Sequence, residues 1–138
     1  MQPSLVPELL VQSRERSLAF WRDLCGFDLR YERADEGFAY ITRGAAHLML
    51  EEQGVGRNWV TAPLDRPLGR GMNLQISVTE IASTVARLWA AGWPLFQDIE
   101  TKWYRTGDHE TGVEQFLVQD PDGYLVRFQA SRGTRPPG

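Results

Sequence analysis

The sequence predicts an α+β fold of tandem βαβββ units. Three observations predict it. A strand–helix–glycine unit occurs twice, with a step of 15 residues from Val11 to Gly26 and of 14 from Val78 to Gly92. Three strands follow each unit, so the topology is duplicated although the residues are not. The strands also separate an apolar from a polar set of side chains, as expected of sheets covered by a helix on one face.

In chain order, Leu5 to Val11 reads as the first strand, with Pro7 pointing to an edge or a bulge. Ser13 is the expected N-cap of a helix running to about Cys25. Leu18, Trp21, Leu24 and Cys25 form its apolar stripe, and Gly26 stops it. Strands follow at Phe27 to Arg33, Gly37 to Arg43 and His47 to Glu51. The connection from Glu52 to Arg70 is long and polar but carries Trp59, which favours a lid or a partner-binding arm over a bare linker.

The second half begins with a strand from Met72 to Val78. Thr79 is the expected cap of a helix whose stripe is Ile81, Val85, Leu88 and Trp89. Strands are expected at Pro94 to Glu100, Val113 to Gln119 and Tyr124 to Gln129. The last two are joined by the acidic turn Asp120-Pro121-Asp122-Gly123, in which Pro121 presets φ and Gly123 supplies a positive φ. One domain over 1–130 is expected, with halves at about 4–52 and 71–130 joined by loop 53–70. Residues 131–138 read as a flexible tail.

Composition limits the function. The 138 residues are 42% hydrophobic and 24% charged, which suits a globular protein, and the net charge of −3 disfavours nucleic acid. A single cysteine, Cys25, rules out an internal disulfide or a paired-cysteine metal site; its place on the helix stripe marks a core residue. With no signal-peptide pattern and no membrane-length apolar run, a cytoplasmic location is expected. His109, in RTGDHETG, reads as part of a solvated hairpin tip.

Strand parity assigns Leu9, Val11, Leu48, Leu50, Leu74, Ile76, Val78, Val126 and Phe128 to the helix-facing sides. It assigns Glu8, His47, Met49, Glu51, Asn73, Gln75, Ser77, Arg127 and Gln129 to the opposite sides, beside Phe38 and Tyr40. That second set describes either a solvated sheet face or a polar groove edged by aromatics that suits a ligand. Trp103 and Tyr104 are adjacent, so on a strand they point to opposite faces. One of them is expected at a groove or a subunit contact.

VQSRERSLAFWRDLCGF (Val11 to Phe27) resembles the first helix of the vicinal oxygen chelate superfamily of glyoxalases, extradiol dioxygenases and bleomycin-resistance proteins. YERADEGFAYITRGAAHLMLEE (Tyr31 to Glu52), GRGMNLQISV (Gly69 to Val78) and FLVQDPDGYLVRF (Phe116 to Phe128) are most similar to its bleomycin-resistance branch. The resemblance implies the vicinal oxygen chelate fold and a homodimer. It also places the superfamily's metal-binding positions at Val6, Met49, Asn73 and Arg127. Two of these are apolar, one is an amide and one a permanent cation, so the resemblance implies no metal and no other cofactor. A salt bridge from Glu8 or Glu51 to Arg127 is expected in the metal's place.

The expected function is therefore sequestration of a cationic, glycopeptide-like antibiotic, without catalytic residues. The ligand-binding candidates are Glu8, Phe38, Tyr40, His47, Met49, Glu51, Trp59, Asn73, Gln75, Trp103, Tyr104 and Arg127. Aromatic rings would stack planar groups, and acidic residues would meet positive charge. The expected partners are a small-molecule or glycopeptide ligand and a second copy of the chain, with no nucleic acid and no membrane. The alternative is a glyoxalase-like lyase, a dioxygenase or a thiol transferase on the same scaffold.

Overall fold

Residues 2–138 are described by a computed structural model. The chain divides into two compact units. Unit 1 comprises Met1–Leu68 with Asp120–Tyr124, and unit 2 comprises Gly69–Gln119 with Leu125–Gly138.

Unit 1 holds β1 (Glu8–Val11), α1 (Arg14–Leu18), β2 (Asp28–Arg33), β3 (Phe38–Arg43) and β4 (Ala46–Glu52). Its sheet order is β1-β4-β3-β2, with β1 parallel to β4 and the other pairs antiparallel. Unit 2 holds β5 (Asn73–Ser77), α2 (Ala82–Ala90), β6 (Gln97–Thr106), β7 (His109–Gln119) and β8 (Leu125–Arg135). Its order, β5-β8-β7-β6, is the same plan, again with the first strand parallel to the last. The α+β architecture of two mixed four-stranded sheets is the expected one.

Ser13 caps α1 as anticipated, its Oγ accepting from the Arg16 amide at 3.2 Å. The helix then widens into a π-helical turn over Ala19–Leu24. Cys25 N donates to Phe20 O at 2.9 Å, a step of five residues rather than four. The wider turn changes the apolar stripe. Phe20 joins Leu18, Trp21 and Cys25 in the core while Leu24 is half-exposed. Trp21 packs edge-on against Phe20 and Phe27.

Parity is kept in both sheets. Leu9, Val11, Leu48, Leu50, Ile76, Val126 and Phe128 are buried, with Leu74 and Val78 half-buried. Several boundaries differ from expectation. Pro7 precedes β1 instead of lying within it, although its carbonyl still accepts from the Met49 amide at 2.9 Å. Thr79 does not cap α2. The helix starts after Ile81, and the Glu80 carboxylate accepts from the Ser83 amide at 2.9 Å. Trp89 is not part of the buried stripe but is 76% exposed.

The hairpin β6–β7 is longer than expected, so Trp103 and Tyr104 lie within β6 and only Gly107 and Asp108 remain between the strands. β8 likewise runs to Arg135, and the flexible tail expected from Ser131 is a strand there. Backbone pairing carries it, in the register Gly112↔Gly133, Thr111↔Thr134 and Glu110↔Arg135. Arg135 adds a hydrogen bond from Nε to Glu110 Oε1 at 2.7 Å and lies 4.2 Å from the Trp103 ring centroid.

The acidic turn Asp120–Tyr124 belongs to unit 1. Gly123 has φ +99°, and a Cβ there would lie 2.7 Å from Pro67 Cα. Asp120 and Asp122 are both buried. Asp120 Oδ1 accepts from the Asp122 and Tyr124 amides at 2.9 Å each, and Oδ2 accepts from Trp21 Nε1 at 3.3 Å. Asp122 Oδ1 accepts from the Gln12 amide at 3.0 Å, and the Tyr124 hydroxyl donates to Leu10 O at 2.9 Å. Burial, reinforced by the Asp122 charge, pushes Asp120 up to about 6 against its amide hydrogen bonds. Burial likewise pushes the Tyr124 phenol up to about 12.

Candidate functional site

The face of the unit 1 sheet opposite α1 is built by strand alternation. Tyr40 pairs with Met49 and with Tyr31, while Phe38 pairs with Glu51 and with Arg33. Glu8 is the β1 partner of Met49. One side chain from each of four strands is thereby brought onto the same face.

A cavity of about 390 Å³ opens on that face. Glu8, Met49, Glu51, Tyr31, Arg33 and Phe38 come from the strands; Glu36, Gly56, Arg57 and Trp59 come from the connections. Five expected site residues are thus brought together: Glu8, Phe38, Met49, Glu51 and Trp59. Sequence reasoning missed Tyr31, Arg33, Glu36, Gly56 and Arg57. Tyr31 and Arg33 come into phase with Tyr40 and Phe38 only through a register shift between Leu29 and Tyr31, which strand alternation alone does not reveal.

The aromatic wall is layered. Tyr31 stacks on Tyr40 with ring centroids 5.1 Å apart and planes 13° apart, and lies 6.1 Å from Phe38. Tyr40 is buried, and its hydroxyl meets His47 Nδ1 at 2.7 Å. Tyr40 and His47 therefore stand behind the cavity wall instead of lining it. Arg33 lies 4.0 Å from the Phe38 ring centroid and is ion-paired with Glu36. Arg57 lies 5.8 Å from the Trp59 centroid, near the outer limit for a cation–π contact.

Trp59 is 77% exposed, so its ring is the least committed part of the wall. The connection that carries it is pinned nearby. A Cβ at Gly56 would lie 2.6 Å from the Glu36 carbonyl oxygen and 3.2 Å from Glu51 Oε1. Asn58 Oδ1 accepts from the Gly54 amide at 2.6 Å, and Asn58 Nδ2 reaches Glu51 Oε1 at 3.4 Å.

Three carboxylates and two guanidiniums line the cavity, and one of each is already paired as Arg33–Glu36. Glu8 and Glu51 are left side by side. Glu8 keeps solvent access, yet its carboxyl is raised above the ordinary value. Partial burial is the largest cause, followed by the Glu51 charge and a hydrogen bond with Glu51; Arg33 opposes them.

The remaining candidates lie in unit 2. Asn73 and Gln75 are exposed on β5, with Gln75 beside Arg127 of β8. Arg127 makes no ion pair among the described residues, and its Nε is buried without a hydrogen-bond partner. Trp103 lies against Gly112, where a Cβ would come within 2.7 Å of its ring. The Tyr104 hydroxyl accepts from Gln115 Nε2 at 2.7 Å, and the same amide donates to Glu100 Oε1 at 2.9 Å. The two neighbours point to opposite faces, as alternation requires, and each has a partner in its own sheet.

A family model described as the glyoxalase/bleomycin resistance protein/dioxygenase superfamily matches residues 5–128. The chain belongs to that superfamily. Among solved structures it is similar to TioX from Micromonospora sp. ML1, at 20% identity over 94% of this chain and 98% of that one, with TM-score 0.72. A bleomycin resistance determinant encoded on the transposon Tn5 is 20% identical over 95% and 99% of the two chains, with TM-score 0.62. Virulence protein STM3117 from Salmonella typhimurium is 18% identical over 94% and 97%, with TM-score 0.66. At these identities the likenesses establish the fold. No curated protein matches the chain in sequence.

Superfamily chemistry that uses a divalent metal needs several converging donors. Val6 and Met49 in unit 1 offer an aliphatic group and a thioether; Asn73 and Arg127 in unit 2 offer an amide and a cation. No group of three or more His, Cys, Asp or Glu side chains is placed to hold a metal among the described residues. The side chains present do not fit that role. No helix of the described residues is long and apolar enough to cross a membrane.

Proposed function

We propose that the protein captures a cationic, glycopeptide-like antibiotic of the bleomycin type and holds it without altering it. The observation that carries this reading is the unit 1 cavity, where Glu8 and Glu51 adjoin Tyr31, Phe38 and the exposed Trp59. Neighbouring carboxylates lack a full counter-charge until a cation arrives, and ring faces suit planar groups or positive charge. Superfamily membership supports the reading, because bleomycin resistance is among the activities in its description.

Asn73, Gln75, Trp103, Tyr104 and Arg127 are proposed as further contacts, and His47 and Tyr40 as support for the wall. Capture without turnover protects only stoichiometrically, so affinity must be high. We propose a homodimer in the cytoplasm as the working form. The test is calorimetric titration with metal-free bleomycin, followed by mass analysis of the recovered drug. Saturation near one drug per subunit with unchanged drug mass is expected; a modified drug would replace capture with catalysis, and no heat of binding would remove this ligand class.

A further inference from the structure

The cavity is small for a whole glycopeptide. Its volume of about 390 Å³ lies near the lower end of ligand pockets, roughly 300–1,000 Å³. It therefore suits one anchoring group of a larger molecule. The chain indicates which kind of group these walls accept, because two of its own guanidiniums already rest against them. Arg33 lies over Phe38 and Arg57 beside Trp59. Arg33 is fixed by Glu36, whereas Arg57 is exposed and its ring contact is long. The Glu8–Glu51 pair and the Trp59 face are what remains for a third cation.

Resting on the reading of this cavity as the ligand site, we infer that its anchor is a compact, permanently charged monocation, of the quaternary ammonium type, seated between the Glu8–Glu51 pair and Trp59. Glu8 is faced by Glu51 from β4, Tyr31 and Arg33 from β2, Glu36 from the turn after β2 and Arg57 from the following connection. The Glu8 carboxyl is raised above its ordinary value, by partial burial first and by the Glu51 charge next. A fixed positive charge favours the ionised Glu8 carboxylate, so capture weakens as acid protonates it.

Choline and 3,3-dimethylbutan-1-ol make the test, since they share a shape and differ in having nitrogen or carbon at the branch point. Binding is followed on the full chain through the indole N–H of Trp59 in proton–nitrogen spectra, with bleomycin titrated in parallel. Choline should bind at least about tenfold more tightly than the alcohol at about pH 7.5. That preference should shrink at about pH 4.5, and disappear in Glu8→Gln and in Glu51→Gln. The two single variants serve as checks on each other, each compared with the parent by thermal unfolding. Equal binding of the two probes, or no choline binding while bleomycin still binds, would overturn this inference and leave the capture reading intact. No response to either probe or to bleomycin would overturn both.

Discussion

At Trp59 the chain leaves a large ring in solvent. Since 77% of the residue is exposed, its removal takes away little packing. Trp59→Ala is expected to weaken bleomycin binding about tenfold, or ~1.4 kcal/mol, while the melting temperature stays at the parent value. Calorimetry beside a thermal melt checks this. Gly56 acts differently, because a methyl group there meets the backbone carbonyl of Glu36 at 2.6 Å. Gly56→Ala should displace the connection that carries Trp59 and reduce ligand affinity, with the β-sheet circular dichroism retained. Unaltered affinity would show that the cavity does not need this close approach. That Glu8, Phe38, Met49 and Glu51 share one face of the sheet was legible from period-two alternation. Tyr31 and Arg33 obey the same rule, but their phase depends on a register shift between Leu29 and Tyr31 that no local sequence signal marks.

Among the elements, the acidic turn between β7 and β8 is the most informative. Its conformation was readable from Asp-Pro-Asp-Gly, whereas its burial was not, because two aspartates ordinarily signal solvent. Trp21 and the amides of Gln12, Asp122 and Tyr124 make burial possible. This has a consequence for pH dependence. Asp120 rises from 3.8 to about 6 on folding, so the folded chain holds a proton that the unfolded chain has lost. Its contribution to stability is most favourable below the unfolded value and declines as pH rises through the interval to the folded one. The loss above it is about 3 kcal/mol. Asp120→Asn keeps the Oδ1 acceptor for the two turn amides and has no charge to bury. The stability of this variant relative to the parent, from urea unfolding, should therefore grow between about pH 4 and about pH 7. A difference that does not change with pH would contradict the assignment. Strand ends were also poorly legible. Ser131 to Arg135 is polar, but ladder pairing with β7 depends on backbone groups and holds it as strand. Truncation after Ala130 should lower the melting temperature by on the order of 5 °C; an unchanged melt would mean that this end of the ladder adds nothing.

For the molecule as a whole, duplicated strand order was readable because each half repeats one apolar rhythm, and both units adopt the same 1-4-3-2 arrangement. Superfamily membership then limits the chemistry without selecting it, since one scaffold serves many activities. The proposed site is the unit 1 cavity, with its carboxylate pair and its aromatic wall. The most direct test is to titrate metal-free bleomycin into nitrogen-15-labelled protein and map the perturbed amides and indoles. Saturable changes centred on Tyr31, Phe38, Glu51 and the Trp59 indole are predicted. Changes confined to Asn73, Gln75, Trp103, Tyr104 and Arg127, or no changes at all, would contradict the account.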